Sequence, residues 1–182
     1  IVELINLLDI TVINIDDEIK KYKNNLEILT NEIVNYAGLY KLIKKHIYVL
    51  EEIIKIGLIE CYFYNEDKQF NLSLRYLGNR LNKSNSTICS IINGFILLGF
   101  CNKNLMENKS KVKNAKALYS INIFSKELLE EADIIANKMS SSKPKLTISN
   151  INYKNIESLF GEEIANSVIL DSNIKRKIKL NA

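Results

Sequence analysis

The sequence predicts a mainly α-helical protein with one small β-hairpin, and three observations lead there. Between residues 16 and 57, apolar side chains recur at helical spacing without a miss. Between 72 and 99, two short helical patterns are separated by a tight polar turn. From 117 to 124 the period changes to the alternation of a half-buried strand. At 182 residues, 47% hydrophobic and 25% charged, the chain is sized for one domain with extensions and can bury an ordinary core.

Several classes drop out early. No run reaches the ~18 apolar residues of a membrane span. The Ile- and Leu-rich opening, 1–15, is interrupted by Glu3 and Asp9 and has no basic start, so it does not read as a signal peptide. Beginning on Ile1 rather than Met fits an excised piece or an internal domain of a longer chain. Cys61, Cys89 and Cys101 are odd in number and lack Cys-x-x-Cys spacing, which points to a reducing, cytoplasmic setting. With His46 as the only histidine, neither a zinc centre nor any other metal or cofactor is expected. Ile (29), Asn (24) and Lys (22, against 3 Arg) dominate as an A/T-rich coding sequence would write them, so single lysines and asparagines carry little information.

The helical stripe of 16–57 runs through Ile19, Tyr22, Leu26, Leu29, Ile33, Tyr36, Tyr40, Ile43, Ile47, Leu50 and Ile54, the seam of a coiled coil. Asp16 or Asp17 is suited to cap its start, and Gly38 is a candidate break where it could fold into two antiparallel helices. A second stripe, Leu39, Leu42, Val49, Ile53 and Ile56, means that its second half is buried on two sides; His46 fills the gap in it. The expected organisation is a helical segment over 1–57 that dimerises, a domain over 58–139, a linker over 140–147, and a helical extension over 148–182 with a basic end at Lys175, Arg176, Lys177 and Lys179. After an apolar piece, 58–64, a polar turn leads to the central pattern.

Ser73 caps a short helix over 74–81 with Leu74, Leu77 and Leu81 inward, and Gly78 leaves room for a second helix. Asn82 suits a left-handed turn position, because Asn tolerates positive φ. Ser84 or Asn85 then caps a helix running to Leu98, with Ile88, Ile91, Ile92, Phe95 and Ile96 on one face, and Gly99 stops it. In 117–124, Leu118, Ser120 and Asn122 alternate with Tyr119, Ile121 and Ile123; with 100–104 this makes two strands around the basic stretch 105–116. Ser125 caps a helix to Met139, three serines and the only proline mark the linker, and Tyr153 to Leu170 reads as a last helix.

From Leu77-Gly78-Asn79-Arg80-Leu81 through Asn82-Lys83-Ser84-Asn85-Ser86-Thr87-Ile88 to Leu98-Gly99-Phe100, the chain resembles the winged helix-turn-helix superfamily, over about residues 72–124. Lys83 departs from it, standing where the family buries an aliphatic residue in the turn. The resemblance implies a winged helix core between the N-terminal helices and the C-terminal extension. It also implies that the second helix enters the major groove of double-stranded DNA. With Ile88 at the centre of the buried face, Ser86, Ser90 and Asn93 fall on the exposed face and Thr87 to one side. Ser and Thr hydroxyls can touch phosphates or bases, and Asn93 could pair with adenine. Lys83, Ser84 and Asn85 stand at the helix entry, where backbone N–H groups favour phosphate. Arg75 and Arg80 could clamp the backbone, and Lys109, Lys111, Lys113 and Lys116 could follow the adjacent groove. Leu97 lies awkwardly on the exposed face, which implies that the helix's last turn tucks under another element, such as the long N-terminal helix.

Charge agrees with this partner: eight basic residues and one acid, Glu107, lie between 71 and 120, whereas the rest of the chain is net acidic. No catalytic site is visible, since 16–18, 51–52 and 162–163 are adjacent carboxylates that point apart on a helix and no Gly-rich phosphate loop exists. The expected function is sequence-specific DNA binding by a homodimer, in transcriptional regulation. The alternatives are a plasmid or phage replication initiator or partition protein, or a winged helix serving protein assembly without DNA. The C-terminal extension is a further candidate surface for a protein partner.

Overall fold

The computed structural model describes residues 15–60, 69–105 and 117–169. Within them lie eight α-helices and one small three-stranded antiparallel sheet. The helices are α1 (Ile15–Asn31), α2 (Ala37–Ile43), α3 (Ile47–Glu60), α4 (Leu74–Arg80), α5 (Asn85–Leu97), α6 (Lys126–Ser141), α7 (Tyr153–Phe160) and α8 (Glu162–Val168). The strands are β1 (Phe70–Asn71), β2 (Cys101–Leu105) and β3 (Ala117–Ile121), in the order β1-β3-β2. Two 3-10 turns, Ile33–Asn35 and Ile148–Asn150, complete the path. No helix among the described residues is long and apolar enough to cross a membrane.

The 16–57 stripe is neither one helix nor two but three. It breaks after Asn31 and again at 44–46, and α1 folds back onto α3. Gly38 is not the hinge. It lies inside α2, which packs on α6, and a Cβ there would run into the Asn137 side chain. Asp133 of α6 accepts the Leu39 N–H at 2.7 Å, so a first-turn donor of α2 is satisfied from another helix. Asp16 and Asp17 fall in the first turn of α1, which begins at Ile15. Six of the seam residues, Tyr22, Leu29, Ile33, Ile43, Leu50 and Ile54, are buried within the chain. The apolar surface that was to join two copies is consumed by one.

Helix α3 continues past Gly57 to Glu60; a Cβ at Gly57 would come within 3.0 Å of both Tyr22 and Phe70, so this glycine lets α1 and β1 meet α3. Strand β1 was not expected. Its Phe70 pairs with Tyr119 and is fully buried. The hairpin register runs from Cys101 opposite Ile121 to Leu105 opposite Ala117, so residues 106–116 connect its strands. Ile123 falls outside β3 and is exposed, because the chain has already turned there.

That turn is held by asparagines. The buried Asn25 of α1 donates to the Asn122 carbonyl at 2.8 Å and accepts the Phe124 N–H at 2.9 Å. Asn122 in turn donates to the Gly99 carbonyl and accepts from Asn102. One core cluster runs through all of this, with Phe95, Phe100 and Phe124 ring against ring at its centre.

The 140–147 linker is also corrected. Helix α6 extends to Ser141, Ser142 accepts the Leu146 N–H at 3.0 Å, and Leu146 is buried. The chain then lays Ile148 and Ile151 against α5, so the extension is part of the core. The expected last helix is two, parted at Gly161, whose φ of 94° L side chains rarely adopt. The opening residues 1–14, Cys61 and the basic end at 175–179 lie outside the described residues.

Candidate nucleic-acid interface

The site is built where α4 meets α5. Ser73 caps α4, its Oγ accepting the Tyr76 N–H at 3.2 Å, and Leu77 anchors the helix in the core. The turn out of α4 passes through Asn82 at φ 51°, the left-handed conformation its side chain tolerates. The Lys83 N–H then bonds the Gly78 carbonyl at 2.8 Å. A Cβ on Gly78 would lie 2.7 Å from the Lys83 carbonyl oxygen and 3.1 Å from the Asn85 side chain, so the turn closes this tightly because residue 78 has none.

Ser84 caps α5. Its Oγ accepts the Thr87 N–H at 3.1 Å and shares a 2.8 Å hydrogen bond with the Thr87 hydroxyl. Ser84, Asn85 and Ser86 are exposed, and Thr87, Cys89 and Ser90 are half-buried. From Ile91 to Phe95 every residue is buried. Asn93 was expected on the open face and is 8% exposed, its amide 3.9 Å from Cys89 Sγ. So buried, Asn93 does not present its amide to a base edge as expected. Leu97 is buried too, but the covering element is the C-terminal segment, not the N-terminal helix. A Cβ on Gly94 would come within 2.8 Å of Ile148 and 3.0 Å of Ile151, which shows how closely that segment lies on α5. The open part of α5 is its first two turns.

The basic residues divide. Arg75 is exposed. Arg80 donates from Nε to Glu52 of α3 at 2.6 Å. Burial works to raise the Glu52 carboxyl, but the hydrogen bond and charge of Arg80, with Lys55 behind them, outweigh it and hold that carboxyl below its usual range. The hydrogen bond and charge of Glu52 likewise raise the Arg80 guanidinium above its ordinary value. Lys83 is half-buried, its ammonium 5.7 Å from the centre of the Tyr48 ring. Lys109, Lys111, Lys113 and Lys116 lie outside the described residues. Chain order places them between β2 and β3, on the connection that runs from Leu105 to Ala117.

Sequence reasoning missed Glu52 and Tyr48. They stand four apart on α3, with Lys55 next in the same row, and that spacing was the available signal. The arrangement offers hydroxyls, amides and cations without convergent acid and base. Among the described residues, no group of three His, Cys, Asp or Glu side chains could hold a metal ion.

No protein-family model, no curated protein and no solved structure matches this chain. Its function has to be read from its own residues.

Proposed function

We propose that this protein is a winged helix-turn-helix protein that binds double-stranded DNA with sequence preference, presenting α5 to the major groove, and that its role is transcriptional regulation. The observation that carries the reading is the order of parts: a strand, two helices about a turn closed on a glycine, then a hairpin, in a sheet ordered β1-β3-β2. That order leaves the capped, hydroxyl-bearing start of α5 open to solvent just after Lys83, with Arg75 exposed on α4. Such a start can contact phosphate through backbone N–H groups and base edges through Ser86 and Ser90. Lys109, Lys111, Lys113 and Lys116 would add phosphate contacts from the hairpin.

With the seam buried, a homodimer on a palindromic site has to pair through another surface. Initiation or partition on a plasmid or phage would use the same module on tandem direct repeats. Use of the fold for protein assembly draws on one observation: the two open turns of α5 carry no basic side chain, and its last two are covered.

Salt separates these classes. The test is fluorescence anisotropy of the protein with random-sequence duplex, from about 50 to 300 mM salt. DNA binding requires that log affinity fall with log salt in proportion to the phosphates neutralised. Absence of binding at the low end would overturn the DNA reading and leave protein assembly.

A further inference from the structure

The covered half of α5 raises the question of what else holds DNA beside its open turns. Three elements come together around His46, beside α5. The 3-10 turn 148–150 lies along α5, and its Ser149 hydroxyl is 3.4 Å from Nε2 of His46, in the turn between α2 and α3. Lys83, one residue before the α5 cap, reaches over the Tyr48 ring at the start of α3. Lys45 is exposed beside His46. The charges of Lys83, from the α4–α5 turn, and of Lys45, from its own turn, both act on His46, while the 148–150 turn offers it a hydroxyl. The other ring nitrogen, Nδ1, is buried and has no hydrogen-bond partner among the described residues. Glu52, the acid on the same side of α3 as Tyr48, is committed to Arg80 and Lys55.

We propose that this corner is a second phosphate-binding ridge, in which Lys45 and Lys83 hold one stretch of DNA backbone and His46 sits beside it. The proposal rests on the DNA-binding reading and extends it from Lys83, already at the α5 entry, to Lys45 and His46, which the helix-turn-helix pattern does not contain. Its physical basis is that Lys83 reaches over Tyr48, two residues from His46 and three from the exposed Lys45, so that a phosphate placed there would meet positive charge from both turns. Burial, then the charges of Lys83 and Lys45, hold the imidazole below its ordinary pKa, so it is neutral at pH 7. A phosphate bridging the two lysines reverses the sign of the local potential and favours the imidazolium. DNA binding at this ridge therefore takes up a proton.

A chain with a single histidine makes the test direct. The His46 ring resonances are followed by NMR against pH, in the free protein and with saturating random-sequence duplex at low salt. The ridge requires an upward pKa shift of about one unit in the complex, equivalent to a roughly tenfold gain in affinity across the titration. Lys45→Ala should weaken binding to all duplexes alike and reduce the salt slope by about one contact. His46→Gln should still bind but lose the pH dependence. Binding by anisotropy with no movement of the His46 titration, and no effect of Lys45→Ala, would overturn the ridge and leave α5 as the contact. No binding at all would overturn the DNA reading, and the ridge with it.

Discussion

Replacing Gly78 with Ala pits two effects of similar size against each other, and the structure decides between them. Ala is the better helix former by about 1 kcal/mol, so in an open helix the change would stabilise. Here the new methyl would sit 2.7 Å from the Lys83 carbonyl oxygen. That oxygen cannot step aside cheaply, because the Lys83 N–H is bonded to the Gly78 carbonyl at 2.8 Å. Overpacking of a closed site costs about 1–3 kcal/mol, and a backbone neighbour puts this one at the upper end. The expected net loss is about 2 kcal/mol, read as a lower midpoint in urea with an unchanged slope. Gly94→Ala is the matched control. Its methyl would meet only the ends of Ile148 and Ile151, flexible side chains that can yield by a rotamer change. Gly94→Ala should therefore stay within about 1 kcal/mol of the parent once the helix gain is included. If Gly78→Ala were neutral or stabilising, or Gly94→Ala the worse of the two, the account of the α4–α5 turn would be wrong.

Asn25→Ala should cost about 2–4 kcal/mol in urea unfolding, because it strands the Phe124 N–H and the Asn122 carbonyl together; a loss under about 1 kcal/mol would show that water replaces the amide. Stability should fall as pH drops below about 6.5, the ordinary histidine value. The folded imidazole binds protons less readily than the unfolded one, so acid favours the unfolded chain; His46→Gln should remove that part of the pH dependence. Cys101 is buried and its thiol is pushed up to about 12, so it should resist alkylation in the native protein while the half-buried Cys89 reacts. Site mapping by mass spectrometry before and after unfolding tests this, and native labelling of Cys101 would contradict the packing of β2.

Local signals were readable. Ser73, Ser84 and Ser125 each cap the helix that their position foretells, Asn82 takes positive φ, and Gly99 ends α5 at φ 77°. These are decided within a few residues, where propensity and capping act. The long N-terminal stripe misled because one periodicity serves a coiled coil and a helix folded on its own core equally well, and the cap on Leu39 comes from Asp133, remote in sequence. Strand β1 has two residues, too few to carry a period. At the candidate site, the exposure of Ser86 followed from the Ile88 face, while Ser90 on the same face is half-buried. The burial of Asn93 did not, because the cover arrives from Ile148 and Ile151 on a segment whose own pattern says only that it is apolar.

Asn25 and Phe124 are separated by 99 positions, yet a 2.9 Å hydrogen bond joins them. On a ribosome adding about 5–20 residues per second, α1 is complete roughly 5–20 s before the backbone group it must hold exists. Through that interval Tyr22, Leu29 and the Asn25 amide have no finished site to enter. Until the hairpin emerges, α1 has α3 to fold against but its Asn25 amide lacks the backbone groups it holds in the finished protein. A pause in synthesis between β2 and β3 would lengthen the time for which that amide waits for its partners.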